Sequence, residues 1–247
     1  MEFIDRAKYL STEQGRVLSQ LKERFPDKGE PFLCRFGWRR NWDLNATIDL
    51  IEQFIAWRTP YGEVKLEDFS ENVLRLGMSY YFGETKLGVP IVVIKASNVQ
   101  LDSLTLEEII RFNIYFIEKV LAAHPFEVYT VIFDYEGLSM KNVNWSWLKE
   151  LLHVWNDFYP ECSNVEYFIN MPFVFKAVWS FVKPFLTQRA KSAIQLLGSD
   201  YKTVLVGAIE PDELQKCYGG SNDWVLDKST DINECLGFLG SAKNRNK

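Results

Sequence analysis

The sequence predicts an α/β fold, a helical N-terminal segment followed by a mixed, mostly parallel five-stranded sheet, on three observations. Two β-branched runs, Pro90–Ala96 (PIVVIKA) and Glu127–Asp134 (EVYTVIFD), are nearly uniformly apolar, as strands covered on both faces are. A long amphipathic segment, Thr105–His124, lies between them, and further short strands alternate with helices down to residue 209. Residues 1 to about 60 read as helical.

Each element has a local reason. Ser11 or Thr12 caps a helix towards Phe25, and Pro26 follows its end. Phe32–Trp42 mixes apolar and basic residues. Asp43 precedes a helix in which Leu44, Ile48, Ile51 and Ile55 keep helical spacing, closed by Thr59-Pro60-Tyr61-Gly62. Leu66–Leu76 reads as a short helix and Ser79–Gly83 as the first strand, with Pro90–Ala96 the second. Thr105 caps the long helix, and Glu107 and Glu108 sit in its first turn. Glu127–Asp134 is the central strand. Asn144–Tyr159 is helical, Val165–Asn170 a strand, and Pro172 opens the next helix at a position proline tolerates. Ile194–Leu197 is a short strand and Asp200–Ile209 a final helix. The divisions expected are a helical segment over 1–62, a larger α/β unit over 63–225, and a polar tail over 226–247.

Composition narrows the function classes. The 247 residues are 47% hydrophobic and 15% aromatic, enough for one large core or a small unit beside a larger one. A net charge of −5 offers no global attraction to nucleic acid or to an anionic membrane, so any membrane contact must be local. Four cysteines are widely spaced, and with only two histidines they assemble no zinc pattern; reduced thiols are expected. Met1–Leu10 has no apolar core of a secretory signal. Tyr167–Leu186 has the length of a membrane span. It contains Lys176 and Lys183, each costing about 2.5–3.5 kcal/mol near a span's centre, and Pro172 and Pro184 interrupt it. It reads better as a strand end followed by an amphipathic helix.

That helix is apolar nearly all round. Phe173, Phe175, Val178, Trp179, Phe181, Val182, Phe185 and Leu186 cover most of its circumference, leaving Lys176, Ser180 and Lys183 as a narrow polar stripe. Such a helix is either buried on every side or apolar towards a cavity on one side and a membrane on the other. Here the chain resembles a known family. FINMPFVFKAVWSFVKPFL, then IQLLGSDY, then the YGG of Tyr218–Gly220, is similar to the signature of Sec14-like (CRAL-TRIO) lipid-transfer proteins. CRFGWRRNWDLNATIDLIEQFIAWR, YYFGETKLGVPIVVIKA, VIFDYEGLS and FYPECSNVEYFINMP resemble the family's other segments in the same order, over about residues 30–224.

The resemblance implies a sheet that floors a lipid pocket and a mobile helix, here about Pro172–Leu186, that closes it. It implies a pocket lined by Tyr81, Val92, Ile94, Tyr129, Val131, Phe133, Phe173, Phe175, Val178, Trp179, Val182 and Ile194. Strand alternation independently puts Tyr129, Val131 and Phe133 on one face, and Val92 and Ile94 on one face of the neighbouring strand. The implied membrane-facing residues of the gate are Phe175, Trp179, Phe181, Phe185 and Leu186. Candidate headgroup contacts are Arg40, Glu161, Arg189 and Lys191. Positions that carry polar headgroup ligands in phosphatidylcholine-binding members are here Tyr129, Val131, Val92 and Ile94, which disfavours that lipid. Phosphatidylinositol, or a less polar lipophile such as a tocopherol, retinoid, sterol or squalene, is the expected cargo. KPFLTQRAKSAI resembles the tocopherol- and retinal-binding branch. No metal or cofactor beyond the bound lipid is expected, and the partners implied are lipid and a transient membrane surface, with no nucleic acid. A cytoplasmic, peripherally membrane-associated monomer follows.

Two other classes compete. A lipid-sensing module would hold its ligand without delivering it. An enzyme would need a reactive constellation, and no G-x-S-x-G, G-x-G-x-x-G or P-loop is present. Asp134 at a strand's end reads as a cap for the turn before Gly137, and His153 with Cys162 is the only Cys/His combination to consider. No catalytic residue is assigned.

Overall fold

In the computed structural model, which describes residues 10–70, 73–74, 78–99, 104–123 and 129–226, the helical start resolves into three helices. α1 (Thr12–Arg24) begins at a capping box. The Ser11 hydroxyl accepts from the Gln14 amide and the Gln14 side chain accepts from the Ser11 amide. α2 (Glu30–Arg39) takes up most of the mixed apolar and basic stretch Phe32–Trp42, with Pro31 in its first turn where a missing amide costs nothing. α3 (Leu44–Arg58) is capped by Asp43, whose carboxylate accepts from the Ala46 amide at 2.8 Å. The short helix expected over Leu66–Leu76 is not continuous: a 3-10 turn spans Leu66–Asp68 and Phe69 is extended, and among the described residues Val73 and Leu74 are helical. The rest of that helix lies outside the described residues. So do His124, Glu127, Val128 and the tail beyond Leu226.

The sheet has five strands in sequence order: β1 (Ser79–Glu84), β2 (Pro90–Lys95), β3 (Tyr129–Asp134), β4 (Ser163–Ile169) and β5 (Ile194–Leu196). Only β1 runs antiparallel; β2 to β5 are parallel neighbours, as the apolar runs require once both faces are covered. The crossovers carry α4 (Leu106–Ala123), α5 (Trp145–His153), α6 (Phe175–Val182) and α7 (Gln188–Ala193), and α8 (Tyr201–Ala208) follows β5. α6 does not begin at Pro172. The Pro172 carbonyl accepts from the Phe175 amide in a preceding turn, so the proline ends the strand connection instead.

α4 joins two cores. Its residues Ile109, Phe112, Phe116 and Val120 pack with the sheet, while Ile110, Ile114 and Ile117 pack with α1, α2 and α3. Both sets keep the 3.6-residue period, so one helix presents two apolar stripes. Polar ties reinforce the seam. Arg58 grips Glu118 with two bonds of 2.8 and 2.9 Å, and Tyr159 donates to the same carboxylate at 2.7 Å. Arg39 reaches the widened turn of Val154–Phe158, donating to Asp157 at 2.7 Å and to the Asn156 carbonyl at 2.6 Å.

One face of the sheet is solid. Tyr80, Val93, Ile132 and Tyr167 lie side by side there and pack with Leu205 of α8, Ile209, Leu214 and Tyr218. The YGG motif belongs to this face. The Tyr218 hydroxyl donates to Asp134 at 2.9 Å, and Gly220 sits so close to the Leu214 carbonyl that a Cβ would approach it to 1.9 Å. Asp134 also accepts from Asn170 at 2.9 Å and from the Glu136 amide at 3.0 Å, which makes it the turn cap expected from sequence.

Candidate functional site

The other face of the sheet floors a cavity of about 710 Å3. Its floor follows from register. Tyr81, Val92, Val131, Glu166 and Ile194 form one rung across all five strands, and Ser79, Ile94, Phe133, Phe168 and Leu196 form a second. Period-2 alternation fixes which residues of a strand share a face; pairing with neighbours fixes which residues of different strands meet. Val92, Ile94, Tyr129, Val131, Phe133 and Ile194 all line the cavity.

α6 is the roof. Phe175, Val178, Trp179, Val182 and Leu186, at i, i+3, i+4, i+7 and i+11, face the cavity. Phe175 is 5% exposed, and its ring meets Tyr135 at 4.7 Å and Phe168 at 6.0 Å and stacks with Trp179. The opposite side is not covered in the same way. Phe173 is 84% exposed and Phe185 43%, with Lys176, Ser180 and Lys183 exposed around them. Phe181 packs on Trp145 at 4.9 Å and on Phe185 at 5.5 Å. The helix is therefore two-faced: an inward aromatic and aliphatic stripe, and an outward patch of phenylalanine and lysine.

Several expected positions move. Tyr81 ends the first rung, but the Phe116 ring of α4 packs on it, tilted, at 4.7 Å and the Phe116 carbonyl accepts from the Tyr81 hydroxyl, which closes that end of the floor. Phe173 points outward, because the helix starts only at Phe175. Phe175, Trp179 and Leu186 face inward, so of the five residues expected to meet a membrane only Phe185 presents a large exposed surface. Of the headgroup candidates, Glu161 and Arg189 line the cavity and pair with each other. Arg40 and Lys191 do not line it. Arg40 lies 3.8 Å from Asp157, whereas its neighbour Arg39 lines the cavity.

Beyond the residues expected from sequence, Glu166, Phe168, Tyr135 and a stripe of α4, Ile109, Phe112 and Phe116, also line the cavity. The α4 residues were legible in principle, since the helix carries two periodic stripes where one suffices for a single core. Trp147, Leu151 and Trp155 complete a wall, with the Trp155 indole donating to Asn113 at 2.8 Å.

The reactive constellation considered from sequence is not assembled. His153 Nδ1 lies 2.9 Å from Asp157, and the Cys162 thiol bonds the Pro160 carbonyl. Burial pushes that thiol up to about 11, so it is held as an inert thiol. Among the described residues no His, Cys, Asp and Glu cluster suits a metal ion, and no helix is long and apolar enough to cross a membrane.

A sheet floor, a two-faced helical roof and a mostly apolar chamber between them define an α/β protein with an internal cavity of small-molecule size. The chain belongs to the CRAL/TRIO domain family, whose model matches residues 74–220. A phosphatidylinositol/phosphatidylcholine transfer protein of Arabidopsis thaliana, SFH7, is 28% identical over 236 residues, which cover 86% of this chain and 43% of that protein. The SEC14 cytosolic factor of Yarrowia lipolytica is 28% identical over 240 residues, covering 86% of this chain and 49% of that one. The chain thus spans less than half the length of these two relatives. The crystal structure of Sfh5 superposes with a TM-score of 0.65 at 17% identity, over 79% of this chain and 84% of that one, and so shares the fold.

Proposed function

We propose that this chain binds one lipid molecule in the cavity and moves it between membranes, with α6 as the element that opens. The observation that carries this reading is the two-faced roof over an apolar chamber. About 710 Å3 lies within the usual size of a small-molecule site, and rows of apolar side chains form both its floor and its roof. Burying a lipid's hydrocarbon there is favoured by about 25 cal/mol per Å2 removed from water. The outward Phe173, Phe185, Lys176 and Lys183 are suited to a bilayer interface, where rings enter the acyl boundary and lysines meet anionic headgroups. The transfer activity named for the Arabidopsis relative agrees with this reading.

Of the headgroup candidates expected from sequence, the Glu161–Arg189 pair borders the cavity. An anionic headgroup would have to draw Arg189 away from Glu161. A monomeric, cytoplasmic carrier that touches membranes transiently, and needs no cofactor, completes the proposal. Native mass spectrometry of the purified protein, followed by transfer of the extracted lipid between two vesicle populations, tests it. One lipid per chain and protein-dependent transfer are expected. Stoichiometric binding without transfer would make the chain a sensor, and turnover of the bound lipid would make it an enzyme.

A further inference from the structure

The cavity floor contains one carboxylate. Glu166 stands in the first rung between Val131 and Ile194, where every other cavity-facing residue is aliphatic. Its Oε1 accepts from the Ser163 hydroxyl at 2.6 Å. An ionised carboxylate can accept about four hydrogen bonds, so one bond leaves most of its capacity open. Two tyrosines on the same lining, Tyr129 and Tyr135, have hydroxyls with no hydrogen-bond partner among the described residues. Tyr129 shares a face of its strand with Val131, the register partner of Glu166, and is itself paired in register with Ser163, the donor to Glu166, so its side chain lies one strand over from that hydrogen bond; burial holds both phenols above their usual range. Burial likewise raises the Glu166 carboxyl.

Buried polar groups are normally satisfied, and a cluster with open capacity at a ligand surface is a recognition device. The charge balance says for what. Arg39 and Arg189 are the cationic side chains on the lining, and each is already paired, with Asp157 and Glu161 respectively. A phosphate placed on the floor would meet an acid and no free cation. An alcohol would meet an acceptor in Glu166 and a donor in a tyrosine. We propose that Glu166 and Tyr129 form a subsite for the uncharged hydroxyl of a lipophile, with the hydroxyl donating to Glu166 and accepting from Tyr129. This rests on the reading of the cavity as a lipid site and names the class of lipid it selects.

The test uses matched pairs on three skeletons: a sterol, a chromanol and a diacylglycerol, each as the free alcohol and as its methyl ether, with phosphatidylcholine and phosphatidylinositol alongside. Each competes for the full chain against a fluorescent fatty acyl probe. For at least one skeleton the alcohol is expected to bind at least tenfold tighter than the ether. Glu166→Leu should erase that difference, bringing the alcohol-to-ether ratio to about one, and Glu166→Gln, which keeps an acceptor, should retain part of it. Tyr129→Phe should narrow the alcohol-to-ether ratio. Absence of an alcohol preference on every skeleton, or a preference that survives Glu166→Leu, overturns the subsite while leaving the lipid cavity standing. Failure of every compound, the probe included, overturns the lipid reading and this inference with it. Thermal melting of each variant confirms the fold.

Discussion

Phe173 and Phe175 are two residues apart and have opposite surroundings, so truncating each to alanine separates membrane contact from closure. Phe175 is 5% exposed and holds three ring contacts, to Tyr135, Phe168 and Trp179. Full burial of a phenylalanine contributes about 1.5–3 kcal/mol, aromatic pairs about 0.5–1.5 kcal/mol more, and Phe→Ala in a core costs about 3–5 kcal/mol. If only the closed roof makes these contacts, Phe175→Ala raises the population of the open state by about two orders of magnitude or more. Loss of a preloaded fluorescent lipid to excess acceptor vesicles should then accelerate at least tenfold. Phe173 is 84% exposed, so Phe173→Ala should change stability by no more than about 0.5 kcal/mol. If its ring enters the bilayer interface, its removal forfeits up to about 1.5–3 kcal/mol of docking, about ten- to a hundredfold in vesicle affinity. A folded Phe175→Ala protein that releases lipid within twofold of the wild-type rate would refute the roof. Unchanged vesicle binding by Phe173→Ala would refute the outward patch.

Two further outcomes follow from buried polar groups. Tyr218→Phe removes one of three donors to Asp134, a bond to a charged acceptor worth about 1.5–3 kcal/mol, so the melting temperature should fall by about 3–12 °C, and a shift under 1 °C would show the bond is idle. Burial raises the Glu166 carboxyl in the folded protein, so between its unfolded value, about 4.3, and its folded value the folded state binds more protons than the unfolded chain. Stability contributed by this group is therefore full below about 4.3 and lost as pH rises through the folded value. The difference in melting temperature between wild type and Glu166→Gln, followed from pH 4 to 8, should shift against the wild type across that window. A flat difference would contradict the burial of that acid.

Much was legible in local pattern. The capping residues Ser11, Asp43 and Thr105 each accept from the amide three residues on, as their positions imply. The five strands fall where the apolar runs and turns put them. Backbone dihedrals set a period of 2 or 3.6 residues, and a period is visible in a single chain segment. Within β2 the pair Val92 and Ile94, and within β3 the set Tyr129, Val131 and Phe133, follow from that alone once one member of each strand is known to face the cavity.

What faces that set depends on pairing between distant segments. Val131 and Glu166 are neighbours only because β3 and β4 pair in one register, and a slip of one residue would turn the carboxylate to the solid face. Tyr81 leaves the lining because α4 crosses that end of the floor, and Arg39 rather than Arg40 borders the cavity because of where α2 meets the Val154–Phe158 turn. The sequence by itself determined most of the elements and the pairing of residues on their faces, since both are written in local spacing, and its motifs carried the resemblance to the family. Tertiary structure decided which faces enclose the chamber and which polar groups it retains, because register and helix placement arise from the packing of segments far apart in the chain.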